Sequence, residues 1–258
     1  MRINIRLIFA SLILLSTVAG GVALLLYSAS RHEPQFYQQA LRVEPELQRE
    51  AGDELEKSVL QLHNTARTEG RWEAVFTEAQ INGWLAADLP EKFPHLLPAG
   101  TDQPRVSIDP QQIKIACRYQ RGSVNTVISF DLTVDLTSET NTLAVRVSKV
   151  RAGALPVPLK RFLAPITKAS ANSDITLRWS QADGDPVAWV TVPHQHEDYS
   201  HREIYLETIE IRDGEIVLAG RTQKSGENQH VVARLSQGPK TTAGSQSDVG
   251  LSNVIIQR

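Results

Sequence analysis

The densest group of chemically capable side chains is Pro193-His194-Gln195-His196-Glu197-Asp198-Tyr199-Ser200-His201. His194, His196 and His201 are weak candidate metal ligands, since neutral imidazole suits zinc and His-x-His plus a third His offers three nitrogens. Two features oppose that reading. Pro193 closes the apolar run before it, so the cluster falls in a polar connector, and the helical His-Glu-x-x-His arrangement of zinc hydrolases is missing. A solvated loop without metal is the expectation. Cys117 is the one cysteine. Ile113, Ile115 and Cys117 alternate with Lys114, Ala116 and Arg118, which turns the thiol inward as a small core residue with no local His or Asp to activate it. Asp131 and Asp135 could be paired for acid–base work, but their alternation with apolar residues marks the wet face of a strand. The sequence holds no Gly-rich phosphate loop after a strand and no Gly-x-Ser-x-Gly elbow. The expectation is a protein that is not an enzyme and carries no cofactor.

Composition narrows the class further. The chain has 258 residues, 41% hydrophobic and 22% charged, with a formal net charge of -2 and a pI near 6.4. That balance suits a folded domain and lacks the concentrated basic face that nucleic acid requires. One cysteine permits neither an intramolecular disulfide nor a multi-cysteine metal site.

The elements that position these residues begin with a run from Leu7 to Ala29 that carries no charge and follows Arg2 and Arg6. As a helix it reaches about 34 Å, enough for a bilayer core of roughly 30 Å. We expect residues 1–30 to be an uncleaved single-pass anchor, N-terminus cytoplasmic and folded domain extracytoplasmic. The alternative is a signal peptide cut near Ser28–Ser30. No cysteine near the end of the run allows lipoprotein processing.

Residues 31–70 read as a polar exit (Arg31 to Pro34) and a juxtamembrane amphipathic helix. The helix breaks near Val43, before Pro45, and carries a stripe of Leu47, Ala51, Leu55, Val59 and Leu62. Thr77 and Gln80 form a capping box, with Phe76 and Ile81 as a hydrophobic staple, for a helix ended by Pro90. Strand patterns follow around Val106–Ile108 and Ile113–Cys117. The longest is Val124–Leu136, with Ile128, Phe130, Leu132, Val134 and Leu136 on one face and Ser129, Asp131, Thr133 and Asp135 on the other. After a turn at Thr137–Thr142, Leu143, Val145 and Val147 continue the apolar face, and Arg146 joins the aspartates. Gly153–Pro158 interrupts the sheet. A helix is expected over Leu159–Ile166, then strands at Ile175–Trp179 and Val187–Val192. A hairpin turning at Asp213-Gly214 closes the domain. The fold class is α+β: a transmembrane helix, then a mostly antiparallel curved sheet with two or three helices on it. The domain spans residues 71–222, and residues 223–258 read as a disordered polar tail.

Three stretches carry a family likeness: TEAQINGWLA (Thr77–Ala86), GALPVP (Gly153–Pro158) and LETIEIRDGEIVLAG (Leu206–Gly220). Together they resemble the YpmS-like family of bacterial membrane-anchored proteins, with a looser likeness to LmeA-like lipid-binding domains. The resemblance covers roughly residues 72–220 and implies one N-terminal anchor, an extracytoplasmic domain and no assigned enzymatic activity. Pro165 and the long polar tail depart from the pattern. The looser likeness implies an apolar groove between sheet and helices.

Three functions follow as expectations. The first is a membrane-tethered module that binds lipid or another apolar envelope molecule, with a groove lined by Trp84, Ile128, Phe130, Leu132, Leu143 and Val145. The alternative is a non-catalytic assembly factor of the envelope, in which those residues close a solid core. The least favoured is a metal-dependent enzyme using the His194–His201 loop.

Overall fold

In the computed structural model, residues 21, 24–25, 27–94, 96–158, 176–182, 184–193 and 202–225 are described. The fold is α+β, and every strand pairing among these residues is antiparallel. No helix among them is long and apolar enough to cross a membrane. Most of the Leu7–Ala29 run, the expected helix at Leu159–Ile166, the His194–His201 cluster and residues 226–258 lie outside them.

The chain enters through a helical turn at residues 27–30 and continues into α1 (Gln35–Leu41) and α2 (Pro45–Ala66). Pro45 separates the two helices as expected. It takes the first helical position of α2, and Glu44 before it is extended at φ -62 and ψ 141, the region a following proline favours. The α2 packing face is rotated from the stripe read in sequence. Gly52 and Ala66 are buried, whereas Leu47 and Val59 are exposed.

The rotation comes from two glycines. α3 (Glu78–Lys92) crosses α2 where Gly52 meets Gly83. A Cβ on Gly83 would lie 2.7 Å from the Gly52 nitrogen and 2.8 Å from Ala51 Cβ, so the backbones touch directly. α3 starts as its sequence dictates. The Thr77 hydroxyl accepts from Gln80 N–H at 3.2 Å, and Gln80 Oε1 accepts from Thr77 N–H at 3.0 Å. It does not stop at Pro90 but runs to Lys92. Proline in a last turn forfeits one backbone bond, and the following turn still closes through Phe93 N–H to the Leu89 carbonyl at 2.9 Å.

The larger sheet has β2 (Thr101–Asp109), β3 (Gln112–Arg121), β4 (Val124–Leu136), β5 (Thr142–Ala152), β8 (Asp185–Thr191) and β7 (Thr176–Ala182) in that order, with the short β6 (Leu155–Pro156) beside β5. A second sheet, β1–β10–β9, joins β1 (Gly70–Thr77), which the sequence reading leaves unassigned, to the hairpin of β9 (Arg202–Arg212) and β10 (Glu215–Lys224). Trp72 and Phe76 are the buried alternates of β1. β10 continues to Lys224, past the expected start of the tail. Backbone bonds fix the hairpin tip to the larger sheet: Gly214 N–H to the Ile108 carbonyl at 2.9 Å and Gln111 N–H to the Ile211 carbonyl at 3.0 Å.

Asparagines close two strand edges. Asn82 of α3 donates to the Val106 carbonyl at 2.8 Å and accepts from Val106 N–H at 2.9 Å. Asn141 does the same on β9, donating to Ile204 and accepting from Leu206. A side-chain amide mimics a peptide group, so each occupies edge positions that another strand would otherwise claim.

Candidate functional site

The register of the larger sheet defines two faces. Ile115 pairs with Phe130, Cys117 with Ile128, Leu132 with Val147, Val134 with Val145 and Leu136 with Leu143. The five strand residues expected to line a groove, Ile128, Phe130, Leu132, Leu143 and Val145, therefore share one face. Ile128 is buried and the other four are half-buried. Trp84 stands apart from them, on α3, with its ring 5.8 Å from that of Phe93 and beside Glu56 of α2. Glu56 also pairs with Lys92, whose ammonium reaches Asp88 at 2.8 Å. These two carboxylates push the Lys92 pKa up, Asp88 most. Trp84 thus belongs to the seam between α2 and α3.

The opposite face is not the plain wet surface expected. α1 lies on it, and Tyr37 is 0% exposed against Ala116 (0%) and Val127 (1%). The small side chain of Ala116 leaves room for the ring, and the Tyr37 hydroxyl donates to the Gln103 carbonyl at 3.1 Å. Burial raises the Tyr37 pKa, and Arg118 and Arg105 act against that shift. Arg105 is itself buried here, which pulls its pKa down.

Beside α1 the polar face opens into a cavity of about 650 Å³. Its floor comes from alternate residues of four strands: Ser107 and Asp109 of β2, Lys114 of β3, Ser129 and Asp131 of β4, and Arg151 of β5. Cross-strand register sets Ser107 beside Lys114, Lys114 beside Asp131, and Ser129 beside Arg151. A bulge in β5 brings Lys149 to the same rim. The pairing shifts between Ser129 and Asp131, and Lys149 takes φ +51. His32, Pro34, Gln35, Phe36, Gln39 and Gly153 complete the wall.

Charge in this cavity is partly internal. Lys114 Nζ lies 2.5 Å from Asp109 Oδ2, and Lys149 Nζ lies 2.9 Å from Asp131 Oδ2. Arg146 stands across from Thr133, between the positions of Asp131 and Asp135 as expected, and its guanidinium reaches Asp185 at 3.9 Å. Asp131 therefore finds its cation on the bulge. Arg151 makes no ion pair or side-chain hydrogen bond among the described residues, and the hydroxyls of Ser107 and Ser129 have no protein partner there.

The polar exit expected at Arg31–Pro34, together with residues 29–30 before it, lies against the sheet. Ala154 N–H donates to the Ala29 carbonyl at 2.7 Å, Thr126 Oγ1 to the Ser30 carbonyl at 2.5 Å, and Arg118 Nη2 to Glu33 Oε1 at 2.9 Å. Gly153 makes the approach possible. It has φ +61, and a Cβ there would fall 2.5 Å from the Ser30 carbonyl oxygen. A smaller cavity of about 150 Å³ lies along this seam, next to Arg31 and Asn125.

Cys117 sits on the apolar face as expected, a free thiol pushed up to about 11 by desolvation. No group of three or more His, Cys, Asp or Glu suited to a metal ion occurs among the described residues. The polar cavity escapes sequence reading because its members come from five segments. Its one sequence signal is Lys149, which breaks the alternation of β5.

Thr77–Ala86 forms the capped start of α3, Gly153 seats the N-terminal segment, and Leu206–Gly220 lies in the hairpin of the small sheet. No protein-family model matches the chain, and neither a curated protein nor a solved structure gives a significant match.

Proposed function

We propose that the protein is a membrane-tethered extracytoplasmic module that binds the acyl part of a lipid, or a similar apolar envelope molecule, on the apolar face of the larger sheet. The YpmS-like and LmeA-like resemblances agree with this reading. The observation that carries it is incomplete cover. Phe130, Leu132, Leu143 and Val145 occupy the inner face of long central strands and still keep partial exposure. Apolar surface gains about 25 cal/mol for each Å² removed from water, so such a face favours an apolar occupant. The hydrogen bonds from Ala154 and Thr126 to residues 29–30 support a tether without slack between an anchor at Leu7–Ala29 and the domain.

The test uses the full chain in bilayers containing a phospholipid with a photoreactive acyl chain. Adducts mapped by mass spectrometry are expected on peptides containing Phe130–Leu132 and Leu143–Val145 as well as on the anchor. Val145→Asp should remove the strand adducts and spare those on the anchor. Adducts confined to Leu7–Ala29 would sink the lipid reading and leave an assembly factor with a solid core. Absence of adducts from that run would refute the tether itself.

A further inference from the structure

The polar cavity lies on the other side of the sheet from the proposed apolar site and has chemistry of its own. Its two lysines are neutralised by Asp109 and Asp131. What remains is one guanidinium, Arg151, with the Ser129 hydroxyl directly across the strand pair and the Ser107 hydroxyl on the same floor. His32 faces them from the N-terminal segment. Each of these groups can donate, and none has a side-chain partner among the described residues. Surplus donors and a surplus positive charge in one concavity call for an anion.

We propose that this cavity binds a phosphoryl group through Arg151 and Ser129. Guanidinium offers a planar pair of N–H donors that fits two phosphate oxygens. The Ser129 hydroxyl serves a third oxygen, which a carboxylate would lack. The volume of about 650 Å³ exceeds a bare phosphate and leaves room for the rest of a phosphoester.

Two sources present the same chemistry, a phospholipid headgroup and a soluble phosphoester. The wall favours the headgroup, because His32, Pro34 and Gly153 belong to the docked segment that directly follows Ala29. With Leu7–Ala29 across a bilayer, the cavity opens near the headgroup layer. That choice of source rests on the tether proposed above. The site does not, and it is independent of the apolar face.

The experiment places the full chain in phosphatidylcholine nanodiscs and follows the backbone amide NMR signals of Asp131 and Gly153, which line the cavity and remain in every variant used. One arm adds glycerol 3-phosphate, and the other replaces part of the lipid with phosphatidic acid. A saturable shift with glycerol 3-phosphate, weakened about ten-fold or more in Arg151→Gln and measurably in Ser129→Ala, identifies a site open to soluble phosphoesters. A shift with phosphatidic acid alone, lost in the same variants, identifies the headgroup. Arg151 is exposed, so its replacement leaves the core intact. No shift in either arm, or equal binding by wild type and Arg151→Gln, overturns the proposal. Should the chain fail to insert in the nanodisc, the tether falls and the glycerol 3-phosphate arm still decides the site.

Discussion

Burial, not a neighbouring charge, is the largest influence on the ionisation of Tyr37, Arg105 and Cys117. Cys117 has no charged partner that shifts it; desolvation raises its thiol from an ordinary 9.0 to about 11. A raised value means that the folded chain keeps a proton the unfolded chain has released. The stabilisation is therefore complete below about pH 9 and disappears as the pH climbs towards 11. Two pH units correspond to at most about 3 kcal/mol. Denaturant unfolding of wild type and Cys117→Ala at several pH values measures it. The wild type should lose more stability than the variant across that window. Parallel curves would show that the thiol titrates as it does in the unfolded chain. Arg151 is the opposite case. It stays in water beside two compensated lysines, and no single residue near it in sequence reveals that its neighbours' charges are already spent.

At the scale of elements, the α2–α3 pair shows where pattern reading stops. An internal helical glycine normally costs roughly 0.5–1 kcal/mol relative to alanine, so Gly→Ala inside a helix usually stabilises. Gly83 should reverse that sign, because its Cβ would press on Ala51 Cβ and the Gly52 backbone at 2.7–2.8 Å. Overpacking of this kind costs about 1–3 kcal/mol, which exceeds the propensity gain. Thermal or denaturant unfolding of Gly83→Ala should thus show a net loss, and a stabilised variant would mean that the helices can part freely. The α3 start was legible because Thr77, Gln80, Phe76 and Ile81 are local to one turn. The long strands were legible because period two persists over thirteen residues of β4. The α2 face was legible only in part: Ala51, Leu55 and Leu62 of the stripe are half-buried, and Ala51 meets Gly83. Leu47 and Val59 satisfy the helical period, but Gly52, which sets the crossing, carries no hydrophobic signal. α1 on the polar face was hidden for a related reason: Ala116 and Val127 are single small or apolar residues within runs that otherwise alternate as expected.

At the scale of the molecule, Gly153 links the N-terminal segment to the sheet. It donates to the Val127 carbonyl at 2.7 Å, and it admits the Ala29 and Ser30 carbonyls against the end of β5. Valine at this position meets two obstacles. A β-branched residue resists φ +61, and its side chain would occupy the place of those carbonyls. Part of the strain disappears if residues 29–33 leave the sheet, because Ala154 and Thr126 can then bond water. The strands would keep their own ladders, and the Arg118–Glu33 pair, about a third exposed at both side chains, contributes too little to hold the segment alone. The full-length Gly153→Val variant should therefore be cut by trypsin at Arg31 much faster than wild type, while cleavage at Arg105, buried in β2, stays slow. Faster cleavage at both sites would mean that the valine unfolds the domain. Unchanged cleavage at Arg31 would mean that the seam does not depend on Gly153. The selective outcome would make this glycine the joint that fixes the sheet against whatever precedes residue 29.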